Sequence, residues 1–222
     1  MKILSISTSS NIASVSISEN DACILELNIN NNKTHSETLM PLINELFKTA
    51  GLKLSNIDAI ACDIGPGSFT GIRIGVSSIK AMAESLDIPV IDVSSLEALS
   101  YNINDSDYKT ICSLIDARNN QVYCGIFDKD HNLLESYLAD DINTVMESLN
   151  KYEDILFVGD GAIVHKDLLK IKDFKSDNTI HSKHIAKCAY NKFINNSIKT
   201  ADTITPLYLR KSQAERMKQS NG

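Results

Sequence analysis

The chain repeats itself. Residues 3–29, ILSISTSSNIASVSISENDACILELNI, lie over residues 111–138, ICSLIDARNNQVYCGIFDKDHNLLESYL, with one residue of slippage at the turn. Ile3 falls on Ile111, Ser5 on Ser113, Asn11 on Asn119, Ile17 on Ile126, Asp21 on Asp130, and Leu25-Glu26 on Leu134-Glu135. Each copy reads as three short strands joined by polar turns, over 2–8, 12–18 and 23–29 in the first and 110–116, 121–127 and 133–138 in the second. Alternation at Val15 and Ile17, and at Val122, Cys124 and Ile126, fits a half-buried antiparallel meander. The match extends past the meanders. The first copy continues with a helix over 35–50, an apolar strand over 59–64, a glycine loop and a helix over 71–86. The second continues with a helix over 141–149, a strand over 155–158, the loop Gly159-Asp160-Gly161 and a helix over 162–169. Both copies are β-β-β-α-β-α, and a strand over 89–93 extends the first. The expected fold is α/β with two lobes, the second reduced: 1–100, 101–205, and a tail over 206–222 that packs back on the first lobe.

A duplicated unit of this order resembles the fold of the sugar kinases, actin and the Hsp70 ATPase. The resemblance implies that the two turns between first and second strands face the phosphates of ATP, each with an Asp that manages metal and attacking water. The second turn, IDARN, has Asp116 and Arg118; the first, ISTSSN, has Ser7, Thr8 and Ser9 and no carboxylate. One acid of the two is too little charge to position Mg²⁺ and activate a nucleophile. Ser7, Asp116, Arg118, Gly159 and Gly161 are therefore candidates for a vestigial nucleotide site. Asp116 and Arg118 read equally as a pair that stabilises its own turn.

Composition narrows the function. A net charge of −6 argues against unaided grip on a nucleic-acid backbone, which needs a surplus of Lys and Arg. Contact with RNA is expected only through a partner. Five widely spaced cysteines, mostly in apolar runs, fit neither a disulfide framework nor a zinc knuckle and point to a reducing cytoplasm. No apolar run approaches the roughly 20 residues of a membrane span, and MKILSISTSS is too polar for a signal peptide.

The stretch DIGPGSFTGIRIG, residues 63–75, looks like a phosphate loop and fails the test for one. A Walker loop needs Lys and then Ser or Thr after its last glycine, where this chain has Ile72 and Arg73 after Gly71; a dinucleotide loop needs a different glycine spacing. What remains is a sharp strand-to-helix turn with Ser68 or Thr70 as cap. Along the helix, Ile72, Val76, Ile79, Ala83 and Leu86 form a stripe for the sheet. Gly71, Gly75, Ser78 and Met82 form a second stripe, and its glycines call for close approach by another helix, of this chain or of a partner. The preceding helix starts with Thr34 and Glu37 at capping-box spacing and ends at Gly51. Its apolar residues, Leu39, Met40, Ile43 and Phe47 among them, span more arc than one buried face requires. His35 lacks a second ligand one turn on, and His181 with His184 has no nearby acid cluster, so metal binding is not expected and a solvated helix start is. No nucleophile constellation stands out. The tail reads as extended over 206–209, then a short basic helix.

The combination ISTSSN, KTHSETLMPLI, DIGPGSFTGIRIG, IDARNNQVY and PLYLRKSQAE resembles the TsaB (YeaZ) family along nearly the whole chain. The resemblance implies a part in making threonylcarbamoyladenosine at adenosine 37 of tRNA. It implies a non-catalytic dimerisation and activating subunit that pairs with TsaD, the active-site subunit, and recruits the ATPase TsaE. Pairing is through the two first-lobe helices, as a four-helix bundle with TsaD or as a homodimer in its absence. The interface residues are then Leu39, Met40, Ile43, Phe47, Gly71, Gly75, Ser78 and Met82. ATP, metal and threonylcarbamoyl-adenylate belong to the partners, and this subunit binds no cofactor of its own. TsaD binds metal through two histidines one turn apart, of which only His35 remains here. Family members often have Asp at the position of Ser7. The alternative is a weak ATPase or a peptidase of the same superfamily.

Overall fold

The computed structural model describes residues 1–31, 33–103, 108–171, 174 and 177–210. The first unit runs β1 (Lys2–Ser7), β2 (Ala13–Glu19), β3 (Ala22–Ile29), α1 (His35–Ala50), β4 (Ala59–Asp63), α2 (Phe69–Leu86) and β5 (Val90–Val93), followed by the short α3 (Ser95–Ser100). The second runs β6 (Thr110–Asp116), β7 (Gln121–Asp128), β8 (Leu138–Asp141), α4 (Ile142–Leu149), β9 (Ile155–Val158) and α5 (Asp160–Val164), followed by α6 (Ser182–Ile194).

The strands form two sheets, ordered β3-β2-β1-β4-β5 and β8-β7-β6-β9. In each, an antiparallel pair opens the unit and a parallel strand joins on the other side of its first strand: β1 pairs with β2 and β4, β6 with β7 and β9. The duplication is therefore real. Its alignment holds to the side chain: Ser5 and Ser113 are both fully buried, and neither hydroxyl has a hydrogen-bond partner. Ile3 and Ile111 lie in one core between the sheets.

Two expectations in the second unit need correction. The third strand begins at Leu138, where the repeat would end it, because Asp128 closes a tight turn by accepting from the Asn132 amide and side chain. Leu133 and Leu134 are exposed and form no strand, yet the match of Leu25 to Leu134 holds in the backbone: Leu25 pairs with Ile17, and the Leu134 amide donates to O of the aligned Ile126 at 2.8 Å. The last helix is five residues, Asp160–Val164, followed by turns rather than helix to residue 169.

Three cores fill the molecule. α1 and α2 cover one face of the first sheet, with Leu4, Ile6, Ile17, Ile60, Leu46 and Ile79 between them. α4 covers the outer face of the second. α3 and α6 lie between the sheets, and α6 packs on β1, β2, β4 and β5. The chain order that puts 101–205 in one lobe is thus crossed by packing. Beyond α6, Lys199 exchanges backbone hydrogen bonds with Val90 at the free edge of β5, and Ile204 is buried under α2. Over 206–210 the chain lies on the first unit, with the Leu207 amide donating to Ile64 O at 2.8 Å. The basic helix expected farther on falls outside the described residues. No helix among them is long and apolar enough to cross a membrane.

Candidate functional site

Two surfaces concentrate polar and apolar groups, and both are organised by the β1–β2 turn. The first is the outer face of α1 and α2. α1 starts where predicted, with the Glu37 carboxylate accepting from the Thr34 amide at 3.0 Å, and stops at Gly51 in the left-handed region at φ 65°. α2 is capped by Ser68, whose hydroxyl accepts from the Gly71 amide at 3.2 Å. Between the helices lies a groove of about 450 Å³ lined by Leu39, Met40, Ile74, Arg73, Ser77 and Ser78, with Ser36 and Thr70 at its end. Met40 is 50% exposed, a large apolar side chain left at the surface.

Of the eight residues assigned to this face from sequence, four are core. Leu39, Ile43, Phe47 and Met82 are buried beneath the helices, although Leu39 also floors the groove. Ser78 is half-buried and donates to Ile74 O at 2.8 Å. Gly71 and Gly75 are buried, and what requires them is not another helix. A Cβ at Gly71 would overlap Thr8 O, and one at Gly75 would come within 2.5 Å of Thr8 Oγ1. The element that approaches is the β1–β2 turn of the same chain. Thr70, Arg73, Ile74 and Ser77 line the groove instead; their i, i+3, i+4, i+7 spacing is visible in the sequence but carries no apolar signal strong enough to single out.

Beneath the turn is a group the sequence did not reveal. Asp63, at the end of β4, is 1% exposed. Its oxygens accept from Ser7 Oγ at 2.6 Å, from Ser9 Oγ, from Ser95 Oγ and from the Gly65 amide at 2.9 Å. Burial pushes this carboxyl up, and the four donors oppose it. The first turn has no acid of its own, yet its serines are tied to one brought by the neighbouring strand. Ser7 is spent on this contact and does not face the cleft.

The second surface is that cleft, a cavity of about 620 Å³ between the two turns, lined by Ser9, Ser10 and Asn11 on one side and Asp116, Arg118 and Asp160 on the other. Asp116 acts as turn former: its carboxylate accepts from the Arg118 amide at 3.0 Å, with Arg118 at φ 64°. Its own amide donates to Asp160 at 3.0 Å, and burial, with the nearby Asp116 charge adding to it, pushes the Asp160 carboxyl up. Gly159 and Gly161 do not line the cleft; they pack on the backbone of Leu114, where a Cβ would collide. Among the described residues no three of His, Cys, Asp or Glu are grouped to hold a metal ion. Of these lining residues the acids, Asp116 and Asp160, lie on the side of the second turn.

His35 opens α1 as expected, and the other pair differs from expectation. His35 Nε2 lies 2.8 Å from Ser10 O and joins α1 to the turn. His181 is not a solvated helix start: Nε2 is 2.7 Å from Asp177 and Nδ1 3.3 Å from Glu26, acids that folding brings from the preceding segment and from β3. Burial works against the Glu26 charge, but the His181 ring and the Lys183 amide outweigh it and hold the carboxyl down to about 2. Glu26, with Asp177, raises His181 in turn. Burial, reinforced by the Lys183 charge, holds His184 down to about 4.

Against known proteins, residues 28–218 match the TsaD family, tRNA N6-adenosine threonylcarbamoyltransferase. The tRNA threonylcarbamoyladenosine biosynthesis protein TsaB of Bacillus subtilis is 33% identical over 225 residues, 97% of this chain and 96% of that protein. TsaB of Haemophilus influenzae is 37% identical over 94 residues, 41% of this chain and 39% of that one. The structure of YeaZ from Pseudomonas aeruginosa superposes with a TM-score of 0.80 at 24% identity, over 94% of this chain and 99% of that chain, which confirms the two-lobed fold. A relative one third identical over almost the full length of both chains, within the wider group described by TsaD, settles the relationship: this chain belongs to the TsaB (YeaZ) family of tRNA threonylcarbamoyladenosine biosynthesis proteins.

Proposed function

We propose that the chain is a non-catalytic subunit of the complex that makes threonylcarbamoyladenosine at adenosine 37 of tRNA, and that it pairs with TsaD through the outer face of α1 and α2. The observation that carries this is the groove between those helices. Its floor is Leu39 and Ile74, with Met40 exposed beside them, and its rim is Arg73 together with Ser36, Thr70, Ser77 and Ser78, whose small side chains let another helix come close. The TsaD family match covers both helices, so a chain of that family offers a similar helix pair, and two such pairs pack as a four-helix bundle about a pseudo-twofold axis. The same face serves a homodimer when TsaD is absent. TsaE joins the assembled pair, and tRNA, ATP, metal and threonylcarbamoyl-adenylate are handled by the partners, in keeping with the acidic net charge and with a cleft whose acids lie on one side only.

Co-purification with TsaD, compared between the wild type and Met40→Glu or Ile74→Glu, tests the pairing. Each variant buries a charge in the bundle and is expected to abolish the complex and the modified nucleoside in tRNA digests. Retained pairing would overturn the proposed face. Stoichiometric binding of Mg-ATP to the chain alone, lost in Asp116→Ala, would instead favour an ATPase.

A further inference from the structure

Both helices of the proposed face are held at their N-termini by the β1–β2 turn. Thr8 Oγ1 donates to Gly71 O at 2.7 Å, and Thr8 fills the space against Gly71 and Gly75. Ser9 O accepts from the Ser68 amide at 2.7 Å, at the cap of α2. Ser10 O lies 2.8 Å from His35 Nε2, at the first residue of α1. The turn is held from beneath by Asp63, through Ser7 and Ser9, and the same carboxylate is tied to the loop by Gly65 and to α3 by Ser95.

Four donors from three segments converge on one buried group. A carboxylate accepts all four on its two oxygens; an amide serves the same partners only if serine hydroxyls turn round to accept, which reorients the turn they belong to. A buried charge without a cation is a costly way to brace a turn, and the second unit braces its own turn from the surface instead: β9 is apolar from Ile155 to Val158, and the exposed Asp160 just beyond Gly159 accepts from the Asp116 amide. The first unit differs in carrying the open helix face.

We propose that Asp63 is a positioning residue for partner pairing. Through the Ser7–Ser9 turn it sets the spacing and tilt of the α1 and α2 N-termini, and so the shape of the groove, without itself touching the partner. This rests on the α1–α2 groove being the face that TsaD occupies.

The test compares three variants of the full chain for affinity toward purified TsaD and for thermal unfolding. Asp63→Asn keeps the shape and replaces acceptor positions with donors. Met40→Glu disables the face directly. Leu149→Ala opens a cavity in the core of the second unit, far from the turn, and controls for lost stability. Asp63→Asn is expected to weaken pairing by about tenfold or more at temperatures where it is fully folded, Leu149→Ala to leave affinity within about twofold despite its lower melting temperature, and Met40→Glu to abolish pairing with an unchanged melt at concentrations where the wild type is monomeric. If Met40→Glu pairs normally, the face itself is wrong. If it fails while Asp63→Asn pairs within about twofold of wild type, the positioning role is overturned. A loss of affinity that merely follows melting temperature, equally in Asp63→Asn and Leu149→Ala, overturns it too. Should Asp63→Asn not fold, Ser95→Ala removes one of the four donors and is expected to weaken pairing several-fold; unchanged affinity counts against the proposal.

Discussion

After β4 the first unit turns through Asp63, Gly65 at φ 100°, Gly67 and Ser68 into an 18-residue helix; after β9 the second passes through Gly159, also at φ 100°, into a helix of five residues. The left-handed glycine and the close approach to the first strand of the unit are common to both, because a helix entering on top of a parallel strand pair must cross their ends at short range. What differs is the load. α2 packs on the sheet with Ile72, Val76 and Ile79, on the turn with Gly71 and Gly75, and keeps a third side open in the groove. α5 has one task, to close the end of the second sheet near Leu114. The two units share one architecture, and only the first has the long helix and an acid as deeply buried as Asp63.

Substitutions that strike equivalent places in the two units separate these loads. The largest difference is expected at the helix glycines. Gly71→Ala drives a Cβ into a backbone oxygen and should cost about 4 kcal/mol, against about 1–2 kcal/mol for Gly161→Ala, whose Cβ would sit 2.9 Å from Leu114 C. Urea unfolding reads both; equal costs would mean that the second unit depends on close approach as strongly as the first. Next come the helix cores. Leu46→Ala in α1, where the side chain is wholly buried, is expected to cost about 3–4 kcal/mol, and Leu149→Ala in α4 about 2–3 kcal/mol.

A smaller effect distinguishes the histidines of α6. The folded chain holds His184 down to about 4 while the unfolded chain titrates it near its ordinary value. The unfolded state therefore binds the proton first, and stability falls as pH drops from about 6.5 towards 4. His184→Asn should flatten that segment of the stability curve by about 1–2 kcal/mol. His181 runs the other way: its value is raised, so the stabilisation is complete in acid below its unfolded value and is lost as pH rises through its folded value. His181→Asn should therefore cost more below neutral pH than above it. The smallest change in stability is expected for Met40→Glu, within about 0.5 kcal/mol, since the side chain is half exposed. A large loss in the monomer, at concentrations too low for a homodimer, would show Met40 to be part of the core.

Much of this was legible in the letters. The repeat, both caps of α1 and the apolar stripe of α2 follow from periodicity and turn chemistry, which act between near neighbours. The failures are nearly all long-range. Glycines at 71 and 75 announce close approach but not by what, and Thr8 is more than sixty residues away in the chain. Asp63 sits inside the stretch marked by its glycines, but nothing local says that three serines from elsewhere will surround it. Of the two acids beside His181, Asp177 stands only four residues before it and was within local reach, whereas Glu26 is supplied by the opposite end of the sequence. The displaced third strand of the second unit is a different kind of error: after the tight turn led by Asp128, Leu133 and Leu134 touch β7 at single points, and a continuous ladder forms only from Leu138.

The position of α6 has a consequence for synthesis. When the first hundred residues have left the ribosome, all five strands of the first sheet exist, but the helix that covers its inner face and the Ile204 side chain that completes its outer core are still about a hundred residues away. Ile3, Ala59, Ala61, Ile91 and Val93 must then wait uncovered until Ile185, Cys188 and Ala189 arrive. The first half cannot finish alone, and a nascent chain halted after residue 100 should expose this apolar surface to chaperones and proteases.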